Sequence, residues 1–249
     1  MKKALSILLL LSLALAAIPA LADENLQRFQ PYTNVDLSVF DSAGFSCNYD
    51  KWGFTAELSP ASNMITWKAV DPDYSSFYDD CSITMDIKVV YAAGSATLVP
   101  RFIIHRSGVN AYFDSRMDEI FIKNGENRYR IDATGVSRST DSKSYTATES
   151  VVEPFYLSGC IMLADLANSS DDISVCINRV DEYTLTDADK SIIKNFYDTC
   201  EKAGIFNQDF INSRIDNAHI ITLFNEGSVG TEEANTEELE PAADVEPAA

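Results

Sequence analysis

A period-two alternation of apolar and polar side chains runs through the first two thirds of this chain and limits the fold more than any other feature. It is cleanest where Cys81, Ile83, Met85, Ile87, Val89 and Tyr91 alternate with Ser82, Thr84, Asp86 and Lys88. A helix would scatter those apolar groups around its axis, whereas a strand puts them all on one side. Shorter stretches repeat the pattern at Val35, Leu37 and Val39, at Phe45, Cys47 and Tyr49, at Phe54, Ala56 and Leu58, and at Ile65, Trp67 and Ala69. Gly94-Ser95 then turns the chain into Ala96 to His105, apolar on both faces as in a central strand, although Pro100 argues for an edge or a bulge.

Asn124-Gly125 is a strong hairpin signal and predicts a type I′ turn. That turn sets Lys123 opposite Glu126, Phe121 opposite Arg128, Glu119 opposite Arg130, and Ile120 against Tyr129. After about residue 150 the period changes. Leu157 to Ala167 reads as a short buried helix with Ser158 as its N-cap, and Ile173 to Val180 as another strand. Thr186 with Asp189 three residues later opens a helix, Ile192, Ile193, Phe196, Tyr197, Cys200 and Ala203 share one face of it, and Gly204 ends it. Residues 206–224 fit a helix first (Phe206, Phe210, Ile211, Ile215) and a strand later (Ile220, Ile221, Leu223, Phe224). Many short antiparallel-type strands followed by late helices predict an α+β fold, mainly an antiparallel β-sandwich with two or three helices in the C-terminal third.

The ends differ from the middle. Lys2 and Lys3 precede an apolar run from Ala4 to Ala17, and Ala20-Leu21-Ala22 follows Pro19. A positive head, an apolar stretch too short to span a bilayer and a small-x-small site predict a signal peptide over 1–22. Residues 226–249 carry eight acidic side chains and no basic one, which predicts a disordered acidic tail. Between them, 23–225 holds no Gly/Ser/Pro linker and is expected to form one β-rich domain, with no transmembrane segment left after signal cleavage. The whole chain bears 19 basic and 38 acidic side chains, a formal charge of -19. Nucleic acid is therefore not an expected partner, because phosphate contact needs basic surface.

The stretch Leu98-Val-Pro-Arg-Phe-Ile-Ile-His, the hairpin through Tyr129-Arg-Ile, and the run from Tyr183-Thr-Leu-Thr-Asp to Glu201-Lys-Ala-Gly204 resemble a group of uncharacterised exported bacterial proteins. Their pattern is a Pro-Arg strand, an aromatic hairpin and a Leu-Thr-capped helix ending in Ala-Gly. The resemblance covers about residues 90–204 and implies export and a strand-rich layout with a late capped helix. It brings no activity with it.

The five cysteines, Cys47, Cys81, Cys160, Cys176 and Cys200, each lie in an apolar pattern, and both buried thiols and one or two bridges stay open. Only two histidines, His105 and His219, could serve a serine or cysteine nucleophile. No G-x-S-x-G or H-E-x-x-H pattern occurs. Between two strands lies Asp71-Pro-Asp-Tyr-Ser-Ser-Phe-Tyr-Asp-Asp80. Asp71, Asp73 and Asp79 stand at alternate positions as in an oxygen-ligand calcium loop, without its central Gly or final Glu. Tyr74 and Tyr78 in that loop, together with Trp52 and Tyr49 in Asn48-Tyr-Asp-Lys-Trp-Gly, are the candidate ligand-binding aromatics. No catalytic residue is assigned. Calcium is the one cofactor the residues suggest. The leading expectation is an exported, non-enzymatic envelope or extracellular binding or structural module with a protein or glycan partner. The alternative is a secreted hydrolase that acts on glycan or peptide through paired carboxylates.

Overall fold

The computed structural model describes residues 24–70, 78–109, 117, 119–133, 135–141, 146–178, 182–213 and 221–225. The expected signal peptide and acidic tail lie outside them. The chain opens with helix α1 (Glu24–Gln27), a single 3-10 turn (Gln30–Tyr32) and helix α2 (Ser38–Ser42). Seven strands build the first sheet: β1 (Ser46–Asp50), β2 (Thr55–Ser59), β3 (Met64–Val70), β4 (Tyr78–Ala92), β5 (Ser95–Val109), β8 (Ser137–Asp141) and β9 (Thr146–Pro154). Their order is β1-β2-β4-β5-β9-β8, with β3 also paired to β4. Five strands build the second sheet, in the order β11 (Glu182–Thr184), β10 (Ile173–Ile177), β6 (Glu119–Asn124), β7 (Asn127–Asp132), β12 (Ile221–Asn225). All of these pairings are antiparallel and neither sheet closes, so the fold is α+β. Helices α3 (Leu157–Ala167), α4 (Asp187–Ala203) and α5 (Asp209–Ser213) occupy the C-terminal third.

β4 and β5 are both 15 residues long and form the spine of the first sheet. They join through Ala93-Gly94, whose φ values of 51° and 83° give the doubly left-handed turn a tight hairpin needs. β2 and β3 lie one after the other along the same edge of β4. Asn63 bridges the gap between them: its carbonyl accepts from Met85 N–H and its side-chain amide donates to the Met85 carbonyl. Pro100 sits inside β5, paired with Ile87 of β4 but just past the end of the β9 ladder, so on that side it lies at a local edge as expected. Pairing with β9 ends at Arg101 opposite Pro154, and beyond it the Pro100 carbonyl accepts from Phe155 N–H at 2.7 Å. Backbone N and O of one strand residue point the same way, so the missing N–H faces the side where the ladder stops.

One buried cluster draws on both sheets and the helices, with Phe29, Phe40, Phe102, Phe155 and Phe196 among its largest members. Trp67 of β3 and Tyr183 of β11 stack at 5.4 Å and tie the two sheets together. Helix α4 starts as its sequence predicts. Thr186 Oγ1 accepts from Asp189 N–H, Asp189 Oδ2 accepts from Thr186 N–H, and Gly204 closes the helix at φ 83°.

Three expectations need correction. Val35, Leu37 and Val39 do not form a strand: the Asp36 carboxylate accepts from Ser38 N–H and Oγ and starts α2, while Leu37 and Phe40 turn into the core. Helix α3 spans the predicted residues, but Tyr156 stands at its N-cap, without a side-chain cap bond, in place of Ser158; Leu157 and Ile161 are exposed. The hairpin of β6 and β7 turns at Gly125-Glu126. Lys123 lies opposite Arg128, Phe121 opposite Arg130 and Glu119 opposite Asp132. Only Gly125 takes a positive φ, 58°, as in a type II′ turn. The cause is Asn124, which is buried rather than at the tip. Its amide donates to Asp165 Oδ2 at 2.7 Å, its oxygen accepts from Ser169, and Asn127 and Tyr129 also donate to Asp165. The shift is two residues, so every side chain keeps its face, and Glu119 still reaches Arg130 diagonally at 2.7 Å.

Candidate functional site

β1 and β2 are joined by residues 51–54, and this short loop carries the most exposed aromatic side chain among the described residues. Asp50 Oδ1 accepts from Trp52 N–H at 2.9 Å, folding the loop back on its own start. A Cβ at position 53 would lie 2.7 Å from Asp50 Oδ2, so any larger residue there would push the Asp50 carboxylate aside. Phe54 closes the loop at φ 51°, a conformation bulky residues rarely adopt. The loop holds Trp52 at 87% exposure, with the Lys51 ammonium 5.1 Å from the ring centre. Keeping an indole in water forfeits about 2–3 kcal/mol that burial of a large apolar side chain would return. The loop is nonetheless built to do so.

Two residues after Trp52, Phe54 begins a row of touching rings. Tyr49 of β1 packs edge-on to Phe29 at 5.8 Å and to Phe54 at 6.3 Å, and the Arg28 guanidinium lies 5.7 Å from its ring centre. Phe54 meets Tyr91 of β4 at 5.3 Å, and Tyr91 meets Tyr32 at 4.8 Å. Tyr32 and Phe54 leave 41% and 49% of their surface to solvent. Tyr32 also lines a cleft of about 480 Å³ between the 3-10 turn, the β4–β5 hairpin and the start of α5, with Phe210 in the same lining.

Of the other residues singled out in the sequence, Asp79 and His105 make their contacts elsewhere. Asp71, Asp73 and Tyr74 lie outside the described residues, as does His219, and Tyr78 is placed by its backbone alone, at the start of β4. Asp79 faces the core. Its carboxylate accepts from Arg106 Nε at 2.7 Å, so an ion could claim it only by displacing a guanidinium. Arg106 in turn faces Glu149 across β5 and β9, and Glu149 faces Arg138 across β9 and β8. Glu149 is fully buried; its Oε2 accepts from Met117 N–H at 3.2 Å, and both guanidinium groups lie about 4 Å away. Burial pushes the neighbouring Cys81 thiol up to about 12, with the Asp79 charge adding to it. Among the described residues no group of three or more His, Cys, Asp or Glu is placed to hold a metal ion. All five cysteines carry unbridged thiols.

His105 Nδ1 and Ser150 Oγ lie 3.0 Å apart as directly opposed residues of β5 and β9. On the same face, Arg101 forks onto Asp86 with two contacts of 2.6 Å and reaches Glu57 at 2.9 Å; its hydrogen bond holds the Glu57 carboxyl below the usual carboxylate range. A larger open cleft, about 810 Å³, borders the β6–β7 turn and holds Asp165, Asp171 and Asp172. There Asp165 Oδ2 accepts from Asn124, Asn127 and Tyr129, so this acid serves the fold, while Asp172 is exposed and pairs with Lys190 at 3.6 Å.

Sequence reasoning found Trp52 and Tyr49 but missed Phe54, Tyr91, Tyr32 and Phe210. Phe54 was visible as the last aromatic of Tyr-Asp-Lys-Trp-Gly-Phe. Tyr32, Tyr91 and Phe210 come from three distant segments and carry no local signal. Comparison of the chain with protein-family models, curated proteins and solved structures finds no match in any of the three, so the aromatic row is interpreted through the chemistry of its own side chains.

Proposed function

We propose that this chain is an exported, non-enzymatic binding module of the cell envelope or extracellular space, and that it engages a glycan through Trp52 and the row Phe54, Tyr91 and Tyr32. The observation that carries this reading is the Trp52 loop: an Asp50 fold-back and a left-handed Phe54 hold an indole in solvent. Strained backbone that displays rather than buries an aromatic ring is a device of recognition sites. Sugars present an apolar C–H face that stacks on such rings while their hydroxyls stay hydrated. Export is supported by the Lys2-Lys3 head, the apolar run and Ala20-Leu21-Ala22.

Two measurements test the proposal. The chain has two tryptophans, and Trp67 is buried against Tyr183, so solvent-accessible indole emission reports Trp52. Titration with soluble neutral polysaccharides is expected to change that emission, and Trp52→Ala is expected to weaken binding without lowering Tm. Unchanged emission with every polysaccharide, or full binding by the variant, refutes it. N-terminal sequencing of material released from cells is expected to begin at Asp23; a retained Met1 refutes export by this route.

A further inference from the structure

We propose that the cleft lined by Tyr32 and Phe210 is a subsite for one residue of a neutral glycan, continuous with the row of rings that begins at Phe54; this rests on the glycan-binding reading above and extends it to ligand class. The cleft measures about 480 Å³, within the usual span of small-ligand sites. Two aromatic rings are among its lining. Tyr32 is 41% exposed and pinned edge-on by Tyr91 at 4.8 Å, and Phe210 is 44% exposed and held by Tyr156 at 6.3 Å. Each ring packs against a second ring and keeps part of its surface open to solvent.

The polar groups of the lining point to the ligand's chemistry. The Asn34 and Asn207 side chains line the cleft, and neither makes a hydrogen bond to a described residue. A carboxamide offers two donors and two acceptor sites, which suits hydroxyl groups that both give and take. Gln208 also lines the cleft, but its amide is occupied: it donates to the Leu98 carbonyl at 2.9 Å and accepts from Leu98 N–H at 3.1 Å. Among the lining residues Asp209 is the one charged side chain, on a chain of formal charge -19. A sugar acid or phosphate would meet no cation there and would enter a repulsive field. A neutral pyranose, with C–H faces for the rings and hydroxyls for the amides, meets neither obstacle. Because Tyr32 ends the row that passes through Tyr91 and Phe54, a ligand that leaves the cleft along these rings reaches Phe54, two residues from Trp52 in the same loop.

The experiment is calorimetry on the full chain with neutral gluco-, manno- and chito-oligosaccharides of increasing length, beside uronic-acid oligosaccharides of matched length. Affinity is expected to rise with length among neutral probes. Asn34→Ala and Asn207→Ala are each expected to weaken the longest bound probe roughly fivefold, the loss of about one neutral hydrogen bond, at unchanged Tm. Trp52→Ala is expected to weaken binding at every length. If the double asparagine variant binds like wild type while Trp52→Ala does not, the subsite is refuted and the aromatic row survives. Tighter binding of the uronic-acid probes refutes the neutral class. No binding of any probe, or wild-type binding by Trp52→Ala, overturns the row and the subsite together.

Discussion

Replacing Asp165 with alanine should reveal what sets the register of the β6–β7 hairpin. Asp165 Oδ2 accepts from Asn124 Nδ2 at 2.7 Å, Tyr129 Oη at 2.7 Å and Asn127 Nδ2 at 3.3 Å. Asn124 and Tyr129 are buried, so their donors lose their partner with little access to water. A hydrogen bond to a charged acceptor contributes about 1.5–3 kcal/mol, and the open cleft lets water restore part of three such bonds, which leaves a cost of about 3 kcal/mol. For a chain of this size that lowers Tm by about 6–12 °C. Thermal melting by circular dichroism at neutral pH reads the effect, and Asp165→Asn, which keeps an acceptor oxygen, should lose about half as much. The Tyr129 phenol gives a second signal. Burial and the Asp165 carboxylate raise its pKa, so in Asp165→Ala it should ionise at lower pH, followed by ultraviolet absorbance. A melting temperature within about 2 °C of wild type, less than 1 kcal/mol, would refute the claim that this carboxylate holds the hairpin.

Gly125→Val should destabilise the same turn, because Gly125 sits at φ 58° and a Cβ there would collide with the Asp171 carboxylate; unchanged melting would count against the observed turn. Arg106→Met should cost about 3–5 kcal/mol by leaving Asp79 and Glu149 as buried charges without this cation, and a melting curve like wild type would show that the row is hydrated. Stability should fall at alkaline pH. Burial raises Tyr183 from 10.0 and Cys81 from 9.0 to about 12, so the unfolded chain loses these protons first; the contribution is complete below about pH 9 and lost as pH rises through about 12. Melting points flat across that window would refute the assignment. Calcium titration of the 71–80 segment should give millimolar affinity at best, ~10⁻³ M, since Asp79 is held by Arg106; micromolar binding abolished by Asp73→Ala would overturn this.

What the sequence made legible was local. Helix α4 was readable from its cap, its periodicity and its closing glycine, all within one segment. The β4 strand was readable because one face of it is buried along most of its length. The hairpin register was not, because the competing register differs by two residues and keeps every side chain on its face; only Asp165, about forty residues away, separates the two. Helix α2 was missed because Val35, Leu37 and Val39 mimic a strand while the deciding contact is a single Asp36 fold-back. The buried charges were present in the pattern but not read. Asp79 has the parity of Cys81, Arg106 that of Ile104, and Glu149 that of Val151, so all three point inward if the strands are extended by one repeat. Trp52 was identifiable from its loop, whereas the cleft needs residues 31–35, 94–97 and 204–210 to meet, which no local pattern announces.

The Gln208 side chain bears on how such a chain acquires its structure. β9 stops pairing at Arg101, so the Leu98 backbone has no strand on that side, and a side chain 110 residues later supplies both the donor and the acceptor. In effect a single amide completes the ladder for one rung. The longest hairpin of the sheet can close early, since β4 and β5 are neighbours in sequence, yet its far margin stays chemically open until the segment after α4 arrives. Contacts of such separation slow the final step and leave a strand edge available for mispairing in the interval. A chain truncated before Gln208 would therefore lose more than a short helix: it would keep an adhesive margin on its central sheet.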